Sequence, residues 1–447
     1  MSEEYPGYSK DAIEVLKKVG AEIWSIVEIK TQSATYKGIL LPRYQLSEPG
    51  FIEIKLESGY NIGIKLTKDI DIKVVGKREG KYQIPEKSFP TNKKLPNIKL
   101  FGTGGTVASR LDYTTGAVIP AFTPGELFSA VPELADICNL DTEIVFEILS
   151  ENMRPSYWQQ LATKIEKEAN SGIDGIVIGH GTDTMGFTSA ALSFMLKDLS
   201  VPVVIVGSQR SSDRPSSDSA LNLINATTVA ANSDLAEVVV CMLGSSSHKY
   251  GLIHRGTLVR KMHSSVRHTF RTIGDIPLGK VENGKIKMLK REYRKRNKSK
   301  TKAITDFEEK VGLVYSYPGI TNDIIDFYVD EKYKGIVIAG TGLGHTPTYI
   351  YDSIKRATDE GIVLLMVTQC LNGFVGMNVY STGRELLELG VIAGKNMLPE
   401  VAYVKLGWVL GQTQNPEEVK NLLLTNVAGE FLEREIPIAF NYNAEEL

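Results

Sequence analysis

The stretch Ile98–Ser109, IKLFGTGGTVAS, decides the fold class of this chain because a short apolar run breaks into glycines and then resumes with a helical pattern. A strand that ends in glycines and leads into a helix is typical of an open α/β sheet. Ligands of such sheets bind beyond the carboxyl ends of the strands, so this loop lies where a site is expected.

The loop fits neither of two common phosphate-binding patterns. A P-loop needs a lysine after its last glycine to neutralise phosphate, and none follows Gly105. A dinucleotide fingerprint needs a small residue at its third glycine position, where this chain has Val107. What remains is a loop in which Thr103 and Thr106 offer hydroxyl groups beside glycines that allow a small substrate to approach closely. Thr106 could equally cap the following helix.

Two sets of buried strands alternate with helical patterns after this loop. The first set contains GIVIGHGTDT, VPVVIVGSQRSS and AEVVVCMLG, and the second contains VGLVYSYPG, YKGIVIAGTGLG and IVLLMVTQC. Continuous runs of valine and isoleucine bounded by glycine or serine indicate strands buried on both faces of a parallel sheet. The sequence therefore predicts a two-lobed α/β protein with mostly parallel sheets and helices on both faces.

The first 80 residues predict a small all-β, barrel-like domain. Short runs such as YKGILLP and GFIEIKLESG alternate apolar and polar residues with period two. The predicted order is then a linker at 81–96, a larger α/β amidohydrolase domain with the two loops at 97–280, a basic connection at 281–304, and a smaller α/β domain at 305–447.

Composition excludes several classes of function. The formal net charge of -2 gives no general attraction for nucleic acid or anionic membranes. The three cysteines are far apart, the N-terminus is polar, and no apolar run reaches the ~18 residues of a membrane span. We therefore expect a cytoplasmic protein without a membrane partner. The six histidines show no zinc-binding spacing, so no metal site is expected.

A second strand-end loop, HGTDTM at 180–185, places Thr182 and Asp183 side by side. Capping of the following helix is the competing explanation. Because both loops follow strands of one sheet and both carry threonine hydroxyls, we expect a cleft lined with potential nucleophiles. A threonine hydroxyl needs a base. Histidine commonly fills that role and a lysine removed from water also can, so the residue pattern leaves His180 and Lys261 as alternatives.

TGGTVAS and HGTDTM together resemble the two signature loops of the L-asparaginase/glutaminase family, a resemblance that extends over about residues 96–447. It implies an L-asparaginase-like fold in which Thr106 is the nucleophile and Tyr113 of the downstream loop assists it. The resemblance also implies that Thr182, Asp183 and Lys261 form the group that transfers protons. Lys261 precedes Phe270 by nine residues, as in the family.

The same resemblance implies the residues that bind the substrate. They are Gly105, Ser150, Glu151, Gly181 and Asp183, with Asp183 facing the α-ammonium group. The segment GTGLGHTP resembles the part of the family that a neighbouring subunit contributes to the site, and it makes His345 a candidate for a cross-subunit contact.

The N-terminal module and segments such as VRKMHSSVRHTFRTI and LLLTNVAGE resemble the family of D-type subunits of archaeal glutamyl-tRNA(Gln) amidotransferases. This resemblance implies a glutaminase that releases ammonia from glutamine or asparagine and needs no cofactor of its own. A partner, the E-type subunit of the amidotransferase, would use ATP and magnesium to convert glutamyl-tRNA(Gln) to glutaminyl-tRNA(Gln). A homodimer of this chain within a heterotetramer is also implied.

Two other functions fit parts of the sequence. One is a free-standing L-asparaginase with an accessory domain. The other is a nucleic-acid-binding protein that uses the basic stretch 285–302, which has ten lysines and arginines and one acid, Glu292. Such a run is more often a solvated hairpin or linker. If the stretch contacts phosphate, Arg294, Lys295 and Arg296 should make that binding salt-sensitive. In an amidotransferase it is expected to aid either assembly with the partner subunit or positioning of the tRNA.

Overall fold

The computed structural model describes residues 4–43, 48–56, 61–77, 89–104, 109–111, 118–120, 127, 131–211, 216–247 and 249–440. The strands are β1 (Ser25–Lys30), β2 (Thr35–Leu40), β3 (Phe51–Leu56), β4 (Asn61–Lys65), β5 (Asp71–Lys77), β6 (Asn97–Gly102), β7 (Ser109–Leu111), β8 (Val118–Pro120), β9 (Asn139–Ile144), β10 (Gly175–Gly179), β11 (Leu196–Lys197), β12 (Val203–Val206), β13 (Val238–Leu243), β14 (Gly251–Arg255), β15 (Val259–Lys261), β16 (Phe270–Thr272), β17 (Gly279–Glu282), β18 (Lys285–Met288), β19 (Lys302–Ala303), β20 (Val311–Tyr315), β21 (Gly335–Gly340), β22 (Val363–Thr368) and β23 (Ile392–Ala393).

The α-helices are α1 (Lys10–Lys18), α2 (Pro155–Ala169), α3 (Met185–Met195), α4 (Ser219–Asn232), α5 (Asp323–Asp330), α6 (Tyr351–Asp359), α7 (Ser381–Glu388), α8 (Pro399–Gln412) and α9 (Pro416–Leu424). Short 3-10 turns occur at Pro132–Asp136, Ser150–Asn152, Thr348–Ile350 and Pro437–Phe440. In the described part of the chain, none of the helices is long and apolar enough to cross a membrane.

The N-terminal module is a five-stranded antiparallel sheet in the order β4-β3-β2-β1-β5. Its period-two pattern buries one face, as at Val27 and Ile29 of β1. Helix α1 packs its buried Ala12 and Leu16 into the same core. The all-β prediction for residues 1–80 missed this helix because its apolar stripe covers only nine residues. The dipeptide Ser58-Gly59, which lies between two of the alternating runs and predicts a hairpin turn, is outside the described residues.

The larger lobe contains an eight-stranded sheet in the order β18-β17-β14-β13-β12-β10-β6-β9. The five strands from β13 to β9 are parallel to one another, and β14, β17 and β18 continue the sheet from β13 with antiparallel pairing. Hairpin β17–β18 extends this sheet, so residues 281–288, which the sequence prediction assigned to the interlobe connection, belong to the larger lobe. Alternate residues of β18 are exposed lysines. The strand was therefore not distinguished from the basic residues that follow it.

The smaller lobe contains a parallel sheet in the order β20-β21-β22-β23. Helix α8 packs against α3 of the larger lobe and against β20, β21 and β22 of the smaller one. Buried Val401, Val404 and Leu406 of α8 join the core of the larger lobe to one face of the smaller sheet. The two lobes therefore share a continuous hydrophobic core through this helix.

The order of the parallel strands creates a crevice beside β6. The chain first forms β6, then passes to β9 on one side, and then returns to β10 on the other side. Strand order reverses between β6 and β10, and ligands of open α/β sheets bind at such a switch point. The loops that begin at Thr103 and His180 leave the sheet there, because Gly102 and Gly179 are paired at the ends of the two strands.

Candidate active site

The first loop leaves β6 in a conformation that requires glycine. Thr103 is buried, and its hydroxyl donates to the carbonyl of Gly179 at 3.0 Å. Gly104 has a φ of +100°, and a Cβ there would lie 2.2 Å from the carbonyl oxygen of Ile148. Thr103 thus joins the two strand ends, and its hydroxyl is engaged rather than free. The predicted residues Gly105, Thr106 and Tyr113 lie outside the described residues.

The second loop leaves β10 and is held by several neighbours. The backbone N–H of His180 donates to the carbonyl of Val206 at 2.8 Å. The hydroxyl of Thr184 donates to the carbonyl of Ser150 at 2.7 Å and makes no capping bond to α3. A Cβ on Gly181 would lie 2.7 Å from the Cβ of Ser150, so the loop and the Ser150 turn touch through a glycine.

Lys261 meets this loop from a separate ribbon. It is the last residue of β15, and its register partner across the β15–β16 pair is the buried Phe270. The nine-residue spacing between the two is therefore a hairpin register. The ammonium of Lys261 donates to Thr182 Oγ1 at 2.9 Å and to Asp183 Oδ1 at 2.8 Å.

The exposures in this group suit contact with a small charged molecule. The side chain of Lys261 is 15% exposed and that of Asp183 is 67% exposed. Thr182 is buried beneath them. The group thus presents a carboxylate to solvent and keeps a hydroxyl and an ammonium within hydrogen-bond distance below it. Such an arrangement can bind an ammonium group and pass a proton between side chains.

The structure brings together three of the predicted residues and places others beside them. Thr182, Asp183 and Lys261 form one hydrogen-bonded group, and Gly181 and buried Ser150 adjoin it. Glu151 follows in the same 3-10 turn and is exposed.

His345 belongs to the smaller lobe, in the loop after β21. Its ring packs edge-on against Tyr380, with 5.5 Å between centroids. Its buried Nε2 has no hydrogen-bond partner among the residues that the structure describes. No atom of His345 is hydrogen-bonded to the group around Lys261 in the described part of the structure.

The alternative base, His180, is fully enclosed. Burial lowers the pKa of His180 to about 4, although its bond to the Gly181 carbonyl opposes the change. Its Nδ1 lies 2.6 Å from that carbonyl oxygen and its Nε2 lies 2.9 Å from the hydroxyl of Thr188. Both ring nitrogens are therefore engaged by groups other than Thr182, Asp183 and Lys261.

Cationic side chains of the basic stretch 285–302 form hydrogen bonds within the protein. The guanidinium of Arg296 donates to carbonyls of Ser233 at 2.6 Å and Ala230 at 2.8 Å, and that of Arg294 donates to the carbonyl of Val427. Lys295 remains more than half exposed beside Asp234, at 3.1 Å. Two of these three cations thus bind backbone carbonyls, which argues against a phosphate-binding surface built from all three.

Sequence reasoning missed two contacts that shape the site. A Cβ on Gly207, after β12, would lie 2.8 Å from Cγ2 of Thr182, so this glycine allows the loops to pack. Arg260, next to Lys261, donates to the buried carboxylate of Glu400 on α8 at 2.9 Å. The glycine after a buried strand was a visible signal, whereas nothing local to Arg260 indicated a partner 140 residues away.

No three histidine, cysteine, aspartate or glutamate side chains come together as a metal site would require, within the residues that the structure describes.

Three family models match the chain. They are the GatD N-terminal domain over residues 21–75, Asparaginase, N-terminal, over 97–294, and the Glutaminase/Asparaginase C-terminal domain over 310–423. The D-type subunit of glutamyl-tRNA(Gln) amidotransferase from Pyrococcus furiosus is 53% identical over 423 residues, covering 93% of this chain and 96% of the relative. That of Methanobrevibacter smithii is 48% identical, covering 96% of this chain and 98% of the relative.

Solved structures of similar fold are L-asparaginases. The thermostable L-asparaginase from Thermococcus kodakarensis matches with a TM-score of 0.67 at 29% identity, covering 75% of this chain and 99% of that one. L-asparaginase I from Vibrio cholerae matches with a TM-score of 0.66 at 28% identity, covering 76% of this chain and 99% of that one. These matches confirm the predicted two-lobed α/β fold.

Proposed function

This chain belongs to the family of glutamyl-tRNA(Gln) amidotransferase D-type subunits, and on that premise we propose that it releases ammonia from glutamine or asparagine for amidation of glutamyl-tRNA(Gln). Membership makes the chain an amidotransferase with an asparaginase-type amidohydrolase domain. The match extends over the N-terminal module at 21–75, which lies outside the two asparaginase models. This coverage favours the amidotransferase over a free-standing L-asparaginase.

One observation carries the proposal for the site. Lys261 bridges Thr182 and Asp183 at 2.9 and 2.8 Å, beside the switch point of the larger sheet. The glycine turn at Gly104 leaves the adjacent strand and leads to Thr106 two residues later. A nucleophile loop and a proton-transfer group on neighbouring strands are what acyl transfer through threonine requires.

The proposed chemistry begins at Thr106. Its hydroxyl oxygen attacks the side-chain amide carbon of the substrate while its proton passes by way of the Thr182 hydroxyl to Lys261, which accepts it as the neutral amine. The carbon–nitrogen bond then breaks, the nitrogen takes a proton, and ammonia leaves behind a threonine ester. Water cleaves the ester and restores the hydroxyl. Tyr113 assists the nucleophile during the first step.

The substrate's amino-acid end is proposed to bind at the rim of the same group. The exposed carboxylate of Asp183 pairs with the α-ammonium, because a charge-assisted hydrogen bond there favours an amino acid over a plain amide. Ser150 binds the α-carboxylate, Glu151 joins Asp183 at the α-ammonium, and Gly105 and Gly181 let the backbone approach closely. Proximity of Ser150 to Gly181 supports this assignment.

The proposed partner is the E-type subunit of the amidotransferase, which uses ATP and magnesium to activate glutamyl-tRNA(Gln) and consumes the ammonia. This chain needs no cofactor for amide cleavage, since side chains supply the nucleophile and the proton transfer. The cytoplasm is the proposed location. The three free cysteines, of which Cys370 is exposed, fit a reducing compartment.

A homodimer of this chain within a heterotetramer is proposed as the assembly. Exposed aromatic side chains of Tyr315, Tyr317, Tyr349 and Tyr380 lie at the carboxyl edge of the smaller sheet. Such an edge suits a protein interface. His345 contacts Tyr380 there, which supports its proposed contribution to the site of a neighbouring subunit.

The site is tested by ammonia release from glutamine and from asparagine with purified variants. We expect Thr106→Val and Lys261→Ala to lower kcat by at least about 1,000-fold, because each removes a step of the chemistry. The matched controls are Thr163→Val and Lys164→Ala, which change the same residue types on helix α2, outside the site. Wild-type rates in the first two variants would refute the assignment.

A further inference from the structure

His180 lies at the start of the second loop and makes three hydrogen bonds although it is fully buried. Its backbone N–H donates to Val206, its Nδ1 lies 2.6 Å from the carbonyl oxygen of Gly181, and its Nε2 lies 2.9 Å from the hydroxyl oxygen of Thr188. The indole N–H of Trp158 reaches the same hydroxyl at 3.0 Å. Trp158 and Thr188 are buried as well.

These partners determine which ring nitrogen carries the hydrogen. A carbonyl oxygen only accepts, so Nδ1 of His180 must donate to Gly181. The indole of Trp158 only donates, so the hydroxyl of Thr188 accepts from it and directs its own hydrogen to Nε2. The chain of bonds therefore runs from Trp158 through Thr188 and His180 to the Gly181 carbonyl, with the imidazole neutral.

We propose that His180 is a positioning residue, whose Nδ1–H holds the Gly181 carbonyl and thereby fixes the peptide that carries Thr182 and Asp183 to Lys261. The inference rests on the proposed function, because the site it positions is the ammonia-releasing one. The role differs from that of a general base, since Nδ1 is engaged by the Gly181 carbonyl and Nε2 by the Thr188 hydroxyl.

The loop needs such a bond because its second residue is a glycine. A Cβ on Gly181 would collide with the Cβ and Oγ of Ser150 at 2.7 and 2.8 Å, so no larger residue fits. Glycine leaves the backbone with more accessible conformations than any other residue. Without a bond to its carbonyl, the peptide that follows Gly181 would be free to rotate.

The neighbouring residues are held by other elements. Thr182 and Asp183 accept from Lys261, and Thr184 donates to the carbonyl of Ser150. Each of these bonds involves a side chain of the loop, and together they fix the position of the loop. Among the described contacts, only Nδ1 of His180 donates to the carbonyl of Gly181. This bond therefore sets the orientation of the Gly181–Thr182 peptide.

Two amide substitutions separate the roles of the two ring nitrogens. In His180→Asn the amide nitrogen takes the place of Nδ1 and can still donate to Gly181. In His180→Gln the terminal amide takes the place of Nε2, keeps a partner in Thr188, and loses the bond to Gly181. Each variant loses ring volume from the same buried site.

We expect His180→Gln to lower kcat for ammonia release by about 10- to 100-fold, with a smaller change in KM, because reacting groups are misplaced. His180→Asn should stay within about threefold of wild type at the same step. Thr188→Val is the matched control, since it removes a bond to Nε2 and spares the bond to Gly181. A purely structural role of His180 predicts equal kcat for the two His180 variants.

A measurement on the intact wild-type protein does not depend on whether a variant folds. Nitrogen-15 NMR of histidine-labelled protein at pH 7 should show His180 neutral with its hydrogen on Nδ1. A hydrogen on Nε2, or a charged ring, would overturn the inference. Equal kcat of the two His180 variants would overturn it too.

Lys261→Ala is assayed alongside these variants. Full activity in Lys261→Ala would refute the proposed function itself. Loss of activity there, with equal kcat in His180→Asn and His180→Gln, would refute only the positioning role.

Discussion

Lys261, Thr182 and Asp183 come from two segments that are far apart in the chain, and one ammonium connects them. The ammonium is mostly covered while the carboxylate is mostly exposed. A pair of this kind contributes little to stability when one partner is in water. Its value is geometric, because it holds a buried hydroxyl and an exposed carboxylate in fixed positions at the crevice.

Two buried histidines make the folding stability depend on pH. Burial lowers the pKa of His180 to about 4 and that of His254 to about 3, whereas unfolded histidine titrates near 6.5. Between the folded and unfolded pKa values the unfolded chain binds more protons than the folded one. The free energy of unfolding is therefore highest above about pH 6.5 and falls as the pH drops toward 4. For His180 the loss is ~3 kcal/mol.

Urea unfolding of wild type and His180→Asn at pH 7 and at pH 4.5 measures this effect. The variant lacks one of the two groups, so its stability should depend less steeply on pH than that of wild type. His263→Asn is the control, because His263 is exposed and its Nδ1 accepts backbone N–H bonds that an asparagine oxygen can also accept. The same pH dependence in wild type and His180→Asn would contradict the account.

The residues that the sequence could identify were those within the two loop motifs. Thr182 and Asp183 follow a recognisable strand end, and the resemblance to a known family selected Lys261. The role of His180 was left open because its side-chain partners decide it. They are Thr188, on the helix α3 that follows the loop, and Trp158, which bonds to Thr188 from helix α2. Side-chain partners at such distances leave no local pattern.

At the scale of elements, a buried ion pair attaches the C-terminal segment to helix α8. The ammonium of Lys405 donates to carbonyls of Leu423 at 2.8 Å and Thr425 at 2.6 Å, and to Glu430 at 2.5 Å. The carboxylate of Glu430 accepts from the backbone N–H of Val427 at 2.9 Å. Neither side chain of the pair is exposed, and burial lowers the pKa of Lys405.

Removal of one partner should destabilise the protein strongly. We expect Lys405→Met to lower the free energy of unfolding by ~3–5 kcal/mol, because it leaves Glu430 charged and buried. The double variant Lys405→Met/Glu430→Gln should lose less than the sum of the two single variants. Denaturant unfolding of the four proteins measures the coupling. Additive losses, or an unchanged midpoint in Lys405→Met, would contradict this role.

Elements with continuous apolar runs were predictable, and those with mixed composition were not. Strands β10, β12 and β13 are buried along their whole length, so each is visible as a run of valine and isoleucine. Helix α1 and strand β18 escaped prediction because charged residues interrupt their apolar positions. Pairing with β17, which the sequence cannot show, places β18 in the sheet.

At the scale of the whole molecule, the chain combines an asparaginase-like pair of lobes with an additional N-terminal module. The solved L-asparaginases cover 75% and 76% of this chain, whereas the amidotransferase relative from Pyrococcus furiosus covers 93% of it. The change from alternating short strands to buried runs made this division predictable. The shared core through α8 was not, because it depends on contacts between the lobes.

Amide cleavage by this chain is proposed to be coupled to a partner. The measurement that tests it most directly is ammonia release from glutamine and from asparagine by the chain alone, and then with the E-type partner and glutamyl-tRNA(Gln). We expect slow release by the chain alone and a sharp rise when both the partner and glutamyl-tRNA(Gln) are present. Brisk hydrolysis of asparagine by the chain alone, unchanged by the partner and its tRNA, would contradict it.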